Sequence, residues 1–386
     1  MTIFEAITHS NRLIMYNWQR ESWPHFEFNI HSFEPELSAF MLKSGELSGK
    51  LLALPIEQRT EMMVQLMVSE ALKTAEIEGE NYSQLDIMSS IRKNLGLPVE
   101  HLAKNKNADG LSKMLVDVRK TYEQPLSEKQ LKSWHQLLMG NSPHINAGKW
   151  RSDTAPMQIV SGSATDPTVH YEAPPSSRVP QEMKHFISWY NESAWMSPPV
   201  KAAVAHLYFE SIHPFEDGNG RIGRALVEKA LSQGLNCPLP FSISKAIEAN
   251  KKAYYQSLQQ AEKGLDITDW IHWFVQTLLE AQTYADKMIQ FTITKWHFFS
   301  VFEHKLNPRQ NKVINRMLAD GPDSFQGGMN VRKYVGITGT SRATASRDLQ
   351  ELVSLQIFTP LGSGRSARYE VVFWSIKIPT EMTCWD

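Results

Sequence analysis

Apolar residues recur at helical spacing along most of the chain. Residues 57–78 provide the clearest case, with positions at i, i+3 and i+4 occupied by Met63, Leu66, Met67, Ala71 and Leu72. This spacing predicts an amphipathic helix. Gly79 follows it and suits a C-terminal cap, because glycine tolerates a positive φ. The same spacing predicts further helices at about 127–140, 179–190, 199–212, 221–233, 244–261 and 267–288.

Strand patterns are scarce by comparison. The clearest lies in residues 156–171, where short β-prone stretches flank a turn cluster of Gly, Ser, Asp and Pro. That arrangement predicts a β-hairpin. The fold class is therefore expected to be mainly α.

The pattern divides into three predicted domains. Residues 1–95, rich in aromatics at their start, are expected to form an N-terminal helical domain, and 96–290 a central helical domain. Residues 305–378 change character: helices at 308–319, 331–335 and 341–353 precede a hairpin-like stretch with Gly362 and Gly364. That order predicts a winged helix-turn-helix.

Composition narrows the class of protein. The 386 residues contain 40 Lys+Arg and 41 Asp+Glu, and 42% are hydrophobic. This balance is ordinary for globular domains and places any nucleic-acid role in a local patch. No apolar run approaches the roughly 20 residues of a membrane span, and the first residues, MTIFEAITHS, lack a basic segment followed by an apolar stretch, so we expect no secretory signal. Two cysteines, Cys237 and Cys384, are too few for a disulfide scaffold or a thiolate metal site. We expect a cytoplasmic protein without a membrane partner.

Residues 213–224, with the sequence HPFEDGNGRIGR, contain the candidate chemistry. Pro214 is expected to end the helix 199–212, and a new helix is expected to begin near Gly220 or Arg221. The loop between them then precedes a helix N-terminus, whose unpaired N–H groups and partial positive charge attract anions. Gly218 would let the backbone approach such an anion closely.

The charged residues of this loop suit transfer of a phosphate-containing group. Arg221 and Arg224 offer forked donors for phosphate oxygens. Asp217 would repel phosphate unless a divalent cation such as Mg²⁺ lay between them. His213 has an ordinary pKa suited to accepting a proton from a hydroxyl. Each feature alone is common in structural roles, but their combination predicts a nucleotidyl- or phosphoryl-transfer site.

These twelve residues resemble the Fic motif, HPFx[DE]GNGRxxR, at every specified position. The resemblance implies a Fic-type helical core and a protein adenylyltransferase, which moves AMP from ATP onto a Ser, Thr or Tyr hydroxyl and releases pyrophosphate. It implies that His213 is the general base and that Asp217 holds Mg²⁺. It also implies an ATP site that includes Glu78, His213, Gly218, Asn219, Gly220, Arg221, Ile222, Gly223, Arg224 and Asn250.

A second motif resembles the inhibitory signature of the same family, [ST]xxxE[GN]. It spans residues 74–79, TAEIEG. The resemblance implies that Glu78, with Thr74 at the start of the motif, pairs with Arg224 and keeps the γ-phosphate of ATP from its seat. A carboxylate and a phosphate compete for one guanidinium. An exposed Glu78 at the end of a helix is the alternative.

Two further regions fit the resemblance. The hairpin 156–171 would be a flap that docks the target segment by main-chain strand addition; the alternative is a surface hairpin without function. Asn250 and the pair Tyr254–Tyr255 would lie on a helix that contacts the nucleoside, although tyrosines at helical spacing are more often core residues.

The C-terminal module has a candidate recognition helix at residues 340–349. Small polar residues there alternate with Arg342 and Arg347, which suits DNA contacts, and Arg365 and Arg368 near the wing could reach phosphates. The excess of basic residues in this module is modest. A protein-docking or dimerisation module is the alternative, because fold alone does not determine function.

Three functions are therefore open. The first is an ATP-dependent protein adenylyltransferase held inactive by Glu78. The second is a Fic-type enzyme with another transfer or with AMP-removing activity. The third is a DNA-binding regulator that only senses ATP, although retention of His213 argues against it. The target protein is unknown, self-modification is possible, and similar proteins are often homodimers.

Overall fold

The computed structural model describes residues 15–99, 101–163, 166–319, 321, 325, 327–362 and 368–372. Within them the chain is mainly helical, in agreement with the predicted fold class. The helices of the first half are α1 (Glu34–Leu52), α2 (Ile56–Ile77), α3 (Gln84–Leu95), α4 (Lys106–Lys120), α5 (Glu128–Met139), α6 (Val179–Glu192) and α7 (Pro198–Ile212). Those that follow are α8 (Asn219–Leu235), α9 (Ile243–Ala249), α10 (Lys251–Ala261), α11 (Thr268–Phe302), α12 (Pro308–Met317), α13 (Val331–Thr338) and α14 (Arg342–Ser354).

Two antiparallel hairpins complete the described structure. Strands β1 (Gln158–Ser163) and β2 (Asp166–Glu172) form the first, with an irregularity in register between Ile159 and Val160. The hairpin expected at 156–171 is thus present. Strands β3 (Phe358–Leu361) and β4 (Arg368–Val371) form the second.

Three helix boundaries differ from those that periodicity predicted. The expected helix 244–261 is interrupted at Asn250, where φ −124° and ψ 35° leave the helical region, so α9 and α10 are separate. The helix expected to end at 288 continues to Phe302, because no proline or glycine interrupts it. Helix α8 begins at Asn219, slightly earlier than expected, because Gly218 is its N-cap with φ 81°.

The chain divides into two compact units. The first comprises Met1–Ser48 and Met63–Thr283, and the second Gly49–Met62 and Tyr284–Asp386. The three-domain division expected from the sequence stays a prediction.

Helix α7 lies at the centre of the first unit. Its apolar residues lie on all sides of the helix, and every residue from Pro199 to Ile212 is buried. A helix of that composition is stable only when other elements surround it. Helix α8 packs along it and is itself buried from Arg221 to Ser232. The predicted motif, residues 213–224, occupies the loop that joins these two helices and the start of α8.

The second unit has its own apolar core. Phe298, Ile314, Tyr334, Leu349 and Phe358 are each no more than 2% exposed and pack together. Helices α12, α13 and α14 precede the β3–β4 hairpin, and Met329 adds a backbone pair to Tyr369. This order of elements agrees with the expected winged helix-turn-helix, whose assignment stays a prediction.

Candidate active site

The predicted catalytic loop connects the end of α7 to the start of α8. His213 is the C-terminal cap of α7, with φ 49° and ψ 61°, and its N–H donates to the carbonyl of Phe209 at 3.0 Å. A left-handed conformation is uncommon outside glycine and places this side chain off the helix axis. Gly218, also left-handed, starts α8. A Cβ at Gly218 would meet Leu138 Cδ2 at 3.0 Å, so the turn is built for glycine.

His213 is the base expected from the sequence, and its surroundings keep it neutral. Its side chain is 16% exposed, and its Nδ1 lies 3.7 Å from Glu210 Oε2. Burial, and then the nearby positive charge of Arg151, lower the pKa of His213 to about 4. At neutral pH the imidazole is therefore free to accept a proton.

The buried side chain of Asn219 stabilises the loop through hydrogen bonds to its backbone. Its Oδ1 accepts from the N–H of Phe215 at 3.0 Å, and its Nδ2 donates to the carbonyl of the same residue at 2.9 Å. Asn219 is 2% exposed and Phe215 is fully buried. Both ends of the amide are thus engaged with the loop backbone. In this structure Asn219 shapes the loop, and its place among the ATP-binding residues stays a prediction.

Two residues that the sequence analysis missed tie this loop to the rest of the domain. Arg151, 4% exposed, donates from Nε to the carbonyl of His213 at 2.7 Å and from its backbone N–H to that of Pro214 at 2.9 Å. His135 stacks on Phe215 with ring centroids 4.0 Å apart, and its Nε2 lies 3.2 Å from the carbonyl of Asp217. No motif marks either residue, because both act on backbone atoms far along the chain.

Arg224 is buried and paired with the predicted inhibitory segment. It is 1% exposed, and its Nη2 donates to Glu78 Oε1 at 2.7 Å. Its Nε donates to Thr74 Oγ1 at 2.7 Å, and Nη2 also reaches the carbonyl of Thr74 at 3.1 Å. Burial would raise the pKa of Glu78, but Arg224 outweighs it and holds that pKa below its usual range. The structure thus brings Thr74, Glu78 and Arg224 together.

Gly220 makes room for the Glu78 carboxylate. A Cβ at this position would lie 2.3 Å from Glu78 Oε1 and 3.1 Å from Arg224 Nη1. The carboxylate therefore rests against the first turn of α8, where unpaired N–H groups and the helix dipole favour a negative charge. A phosphate would be favoured at the same place.

Arg221 has a carboxylate partner that the sequence analysis did not identify. Its Nη1 donates to Glu80 Oε2 at 2.7 Å, and its Nη2 lies 3.4 Å from Asp217 Oδ1. Tyr82 donates its hydroxyl to the same Glu80 oxygen at 2.5 Å. Arg221 is 3% exposed, whereas the Glu80 side chain is 35% exposed. Each arginine of the motif thus meets a glutamate from the segment that follows α2.

A second buried group lies behind the loop. Glu210, 4% exposed, has an oxygen, Oε1, without a hydrogen-bond partner among the described residues. Burial, with the negative charge of Glu78 as the next cause, raises the pKa of Glu210 to about 8. A Cβ at Gly223 would lie 2.4 Å from this oxygen and 2.9 Å from Nδ1 of His206. Gly223 is therefore a close-packing position, and its neighbour Ile222 is fully buried core.

The predicted nucleoside-binding residues do not meet the loop. The exposed Asn250 donates to Glu280 at 3.3 Å, and no hydrogen bond joins it to residues 213–224 in the described part of the chain. Tyr254 is 2% exposed, with its hydroxyl 2.8 Å from His206 Nε2, so it is a core residue. Tyr255 donates to the carbonyl of Ile77 at 3.4 Å, at the end of α2. Tyr255 thus contacts the segment that is predicted to be inhibitory.

Asp217, the predicted Mg²⁺ ligand, is accessible. Its side chain is 56% exposed. No cluster of three or more His, Cys, Asp or Glu side chains suited to a metal occurs among the described residues. A single exposed carboxylate fits Mg²⁺ that is held jointly by one protein oxygen and substrate phosphates.

The residues of the predicted recognition helix divide between solvent and core. Arg342 and Arg347 on α14 are exposed, whereas Asp348 is 3% exposed. Asp348 accepts from Arg309 at 2.8 Å and from the Tyr334 hydroxyl at 2.9 Å, so it supports the core of the second unit. Arg368 is exposed, and Arg365 lies outside the described residues. DNA binding stays a prediction.

No helix among the described residues combines the length and the apolarity that crossing a bilayer requires.

Comparison with known proteins agrees with this geometry. Residues 125–231 match the Fic/DOC family, and residues 16–97 match a domain of unknown function, DUF4172. The chain is 22% identical over 254 residues to protein adenylyltransferase fic-1 of Caenorhabditis elegans, covering 64% of this chain and 46% of that protein. It is 31% identical over 94 residues to the probable protein adenylyltransferase aq_aa38 of Aquifex aeolicus, covering 24% of this chain and 27% of that protein. The chain spans less than half the length of these relatives.

A solved structure shares the fold. The crystal structure of a Fic family protein from Desulfovibrio desulfuricans G20 superposes with a TM-score of 0.51 at 20% identity, covering 90% of this chain and 98% of that one. The motif residues meet at one loop, the family match includes that loop, and the fold is shared. Residues 125–231, which include the motif loop, are therefore similar to the Fic/DOC family.

Proposed function

We propose that this protein is an adenylyltransferase that moves AMP from ATP to a hydroxyl side chain of a protein and is held inactive by its own Glu78. The observation that carries the proposal is the contact of Arg224 with Glu78 at 2.7 Å, directly against the N-terminus of α8. That contact places a carboxylate where the site is built to receive phosphate.

The residues of the loop have distinct parts in the proposed reaction. The hydroxyl oxygen of the target attacks the α-phosphorus of ATP, the bond from that phosphorus to the bridging oxygen breaks, and pyrophosphate leaves. His213 accepts the hydroxyl proton; since its Nδ1 faces Glu210, Nε2 is the nitrogen left for this step. The first turn of α8 and Arg221 bind the phosphates, and Asn219 keeps the loop in shape. Mg²⁺, held by Asp217 and phosphate oxygens, would offset their negative charge.

Inhibition follows from competition for Arg224. The buried guanidinium is charged, and Glu78 and Thr74 together occupy its Nε and Nη2 donors. A γ-phosphate can use those donors only after Glu78 leaves. While Glu78 stays in place, ATP would bind without the alignment of its α-phosphate that the attack requires.

The β1–β2 hairpin is proposed as the docking site of the target segment. A two-stranded sheet leaves an outer edge of unpaired N–H and C=O groups, which another extended strand can join. The base of this hairpin is anchored near the catalytic loop, because the Tyr171 hydroxyl donates to the carbonyl of Ser211 at 2.6 Å. The compartment, the target and an oligomeric state stay predictions.

The decisive experiment measures covalent label on protein. Purified wild type, Glu78→Gly, and Glu78→Gly combined with His213→Ala are incubated with Mg²⁺, a cell lysate and ATP labelled at the α or the γ position. We expect label from the α position only, strong in Glu78→Gly and reduced about 10²–10⁴-fold without His213. Glu76→Gly is the matched control within the same segment, because the Glu76 carboxylate pairs with Lys73, whereas that of Glu78 pairs with Arg224.

The other outcomes of this experiment are as informative. Label from the γ position would indicate phosphoryl transfer. Absence of label in Glu78→Gly would contradict adenylyl transfer, and equal labelling of wild type and Glu78→Gly would contradict inhibition by Glu78. Mass spectrometry of the labelled chain tests self-modification through a peptide heavier by AMP.

A further inference from the structure

A cavity at the opposite end of α7 from His213 contains a buried lysine. The cavity measures about 360 Å³, within the range of small-ligand pockets. Its wall is formed by the start of α7, the end of α8 and the segment that precedes α5, and it includes Lys201. Lys201 is 7% exposed. Its ammonium lies 4.4 Å from the centroid of the Tyr190 ring.

Lys201 has no carboxylate partner in the described part of the chain. Neither an ion pair nor a side-chain hydrogen bond joins its ammonium to another described residue, and burial is the one cause that lowers its pKa, to about 8. Buried charges in proteins are ordinarily paired. A cation–π contact of this kind compensates only part of the cost of removing an ammonium from water.

Two further features disfavour a positive charge at this position. Lys201 is the fourth residue of α7, so its backbone lies at the positive end of the helix dipole, where an anion is the preferred neighbour. Lys229 on α8 is fully buried, and its charge and that of Lys201 repel each other. The Lys229 ammonium donates to the carbonyl oxygens of Thr121 at 2.7 Å and Tyr122 at 3.3 Å, which satisfies that group and leaves Lys201 without a counter-ion.

We propose that this cavity binds a small organic carboxylate, with Lys201 as its counter-ion. The bound carboxylate would form with the Lys201 ammonium the ion pair that the described residues do not provide. The wall of the cavity is mixed: Pro125, Ala194 and Met196 are apolar, Gln233 adds an amide, and Glu123 adds a carboxylate that forms no ion pair with Lys201 among the described residues. A short apolar chain therefore suits it as the remainder of the ligand.

The donors present favour a carboxylate over a phosphate. The first two residues of α7 are Pro198 and Pro199, which have no N–H to offer, so the backbone donors that usually bind phosphate at a helix N-terminus are reduced in number. The single charge of the Lys201 ammonium is better matched to one carboxylate than to a phosphate group, which carries about two negative charges at neutral pH. The inference is independent of adenylyl transfer, since Lys201 and His213 lie at opposite ends of α7.

The test uses the full chain with sodium hexanoate as probe, and hexan-1-ol and inorganic phosphate as comparisons. Binding is followed by calorimetry, and the reactivity of the Lys201 amine by competitive labelling with acetic anhydride and peptide mass spectrometry. We expect saturating hexanoate to protect Lys201 at least about tenfold and to leave the exposed Lys184 unprotected. Lys201→Met should abolish binding, whereas Lys184→Met should leave it unchanged.

The pH dependence separates ion pairing from simple apolar binding. With a pKa near 8, Lys201 is about 90% protonated at pH 7 and about 10% at pH 9, so hexanoate affinity should fall roughly tenfold across that range. Affinity that does not change with pH would overturn the proposal. Equal binding to Lys201→Met, equal binding of hexan-1-ol, or protection of Lys201 by phosphate and not by hexanoate would each overturn it as well. The protection experiment needs only the wild-type protein, so the test does not depend on folding of the variant.

Discussion

Glu80 accepts a hydrogen bond from Arg221 at 2.7 Å, two residues beyond the contact of Glu78 with Arg224. The short segment after α2 thus places one carboxylate on each arginine of the motif. The second contact is more exposed than the first, because 35% of the Glu80 side chain is exposed. If both arginines bind phosphate, this segment blocks the site at two points.

The first prediction concerns that second contact. Glu80→Ala should raise basal adenylylation by a modest factor, about two- to five-fold, because solvent screens a partly exposed pair. The increase is measured as initial rate with α-labelled ATP. Glu76→Ala is the matched control, since its carboxylate pairs with Lys73. If Glu80→Ala leaves the rate unchanged both alone and in the Glu78→Gly background, only the contact of Glu78 with Arg224 inhibits, and not that of Glu80 with Arg221.

The second prediction concerns the pH dependence of the base. Burial and Arg151 lower the pKa of His213 to about 4, so the imidazole is neutral and able to accept a proton at every pH well above that value. In Glu78→Gly, kcat should therefore stay nearly constant from about pH 8 down to pH 5.5 and decline only near pH 4. An ordinary histidine would lose activity through pH 6.5. The measurement is kcat at saturating ATP, with unfolding monitored at each pH. A fall of kcat with a midpoint near pH 6.5 would contradict the lowered pKa of His213.

The third prediction concerns Asn219, whose amide closes the loop. Asn219→Ala removes both hydrogen bonds to the Phe215 backbone and leaves two buried polar groups unsatisfied, a cost of about 1–3 kcal/mol. In the Glu78→Gly background we expect kcat to fall at least about a hundredfold, because His213 shifts from its position. Asn94→Ala, on α3 and bonded to Ser90, is the control. Retention of full kcat would mean that Asn219 does not position the loop.

The fourth prediction compares two glycines inside helices. Gly223→Ala should destabilise the protein by about 1–3 kcal/mol, because its Cβ would lie 2.4 Å from Glu210 Oε1 and both residues are buried. Gly45→Ala on α1 has no atom within 4 Å of its Cβ and should stabilise by up to about 1 kcal/mol through helix propensity. Thermal and urea unfolding check both variants. Equal stability of the two would show that Glu210 and His206 can move aside at no cost.

The sequence predicted much of the site because its chemistry is local. Residues His213 to Arg224 are contiguous, so the order of a helix, a loop and a second helix follows from Pro214 and the glycines, and the residue types are those that the proposed roles need. Thr74 and Glu78 were found because they too belong to a short pattern. The amide of Asn219 is engaged with the Phe215 backbone and Asn250 is exposed at a break between two helices, and the expected contacts of both residues with ATP stay predictions.

Other relationships depend on residues that are far apart in the chain. Glu80 meets Arg221 across 141 positions, and Arg151 binds the carbonyl of His213 across 62. The low pKa of His213 and the raised pKa of Glu210 come from burial, which no local pattern reports.

The sequence by itself thus determined the helical class, the composition of the loop and the residue types available for chemistry, because helix periodicity and turn residues act over a few positions. Only the tertiary structure decided that Glu80 meets Arg221, which polar groups lose contact with water, and that Lys201 is buried without a counter-ion. Hydrogen bonds and desolvation depend on distances in space, and packing sets those distances between segments that sequence spacing does not relate.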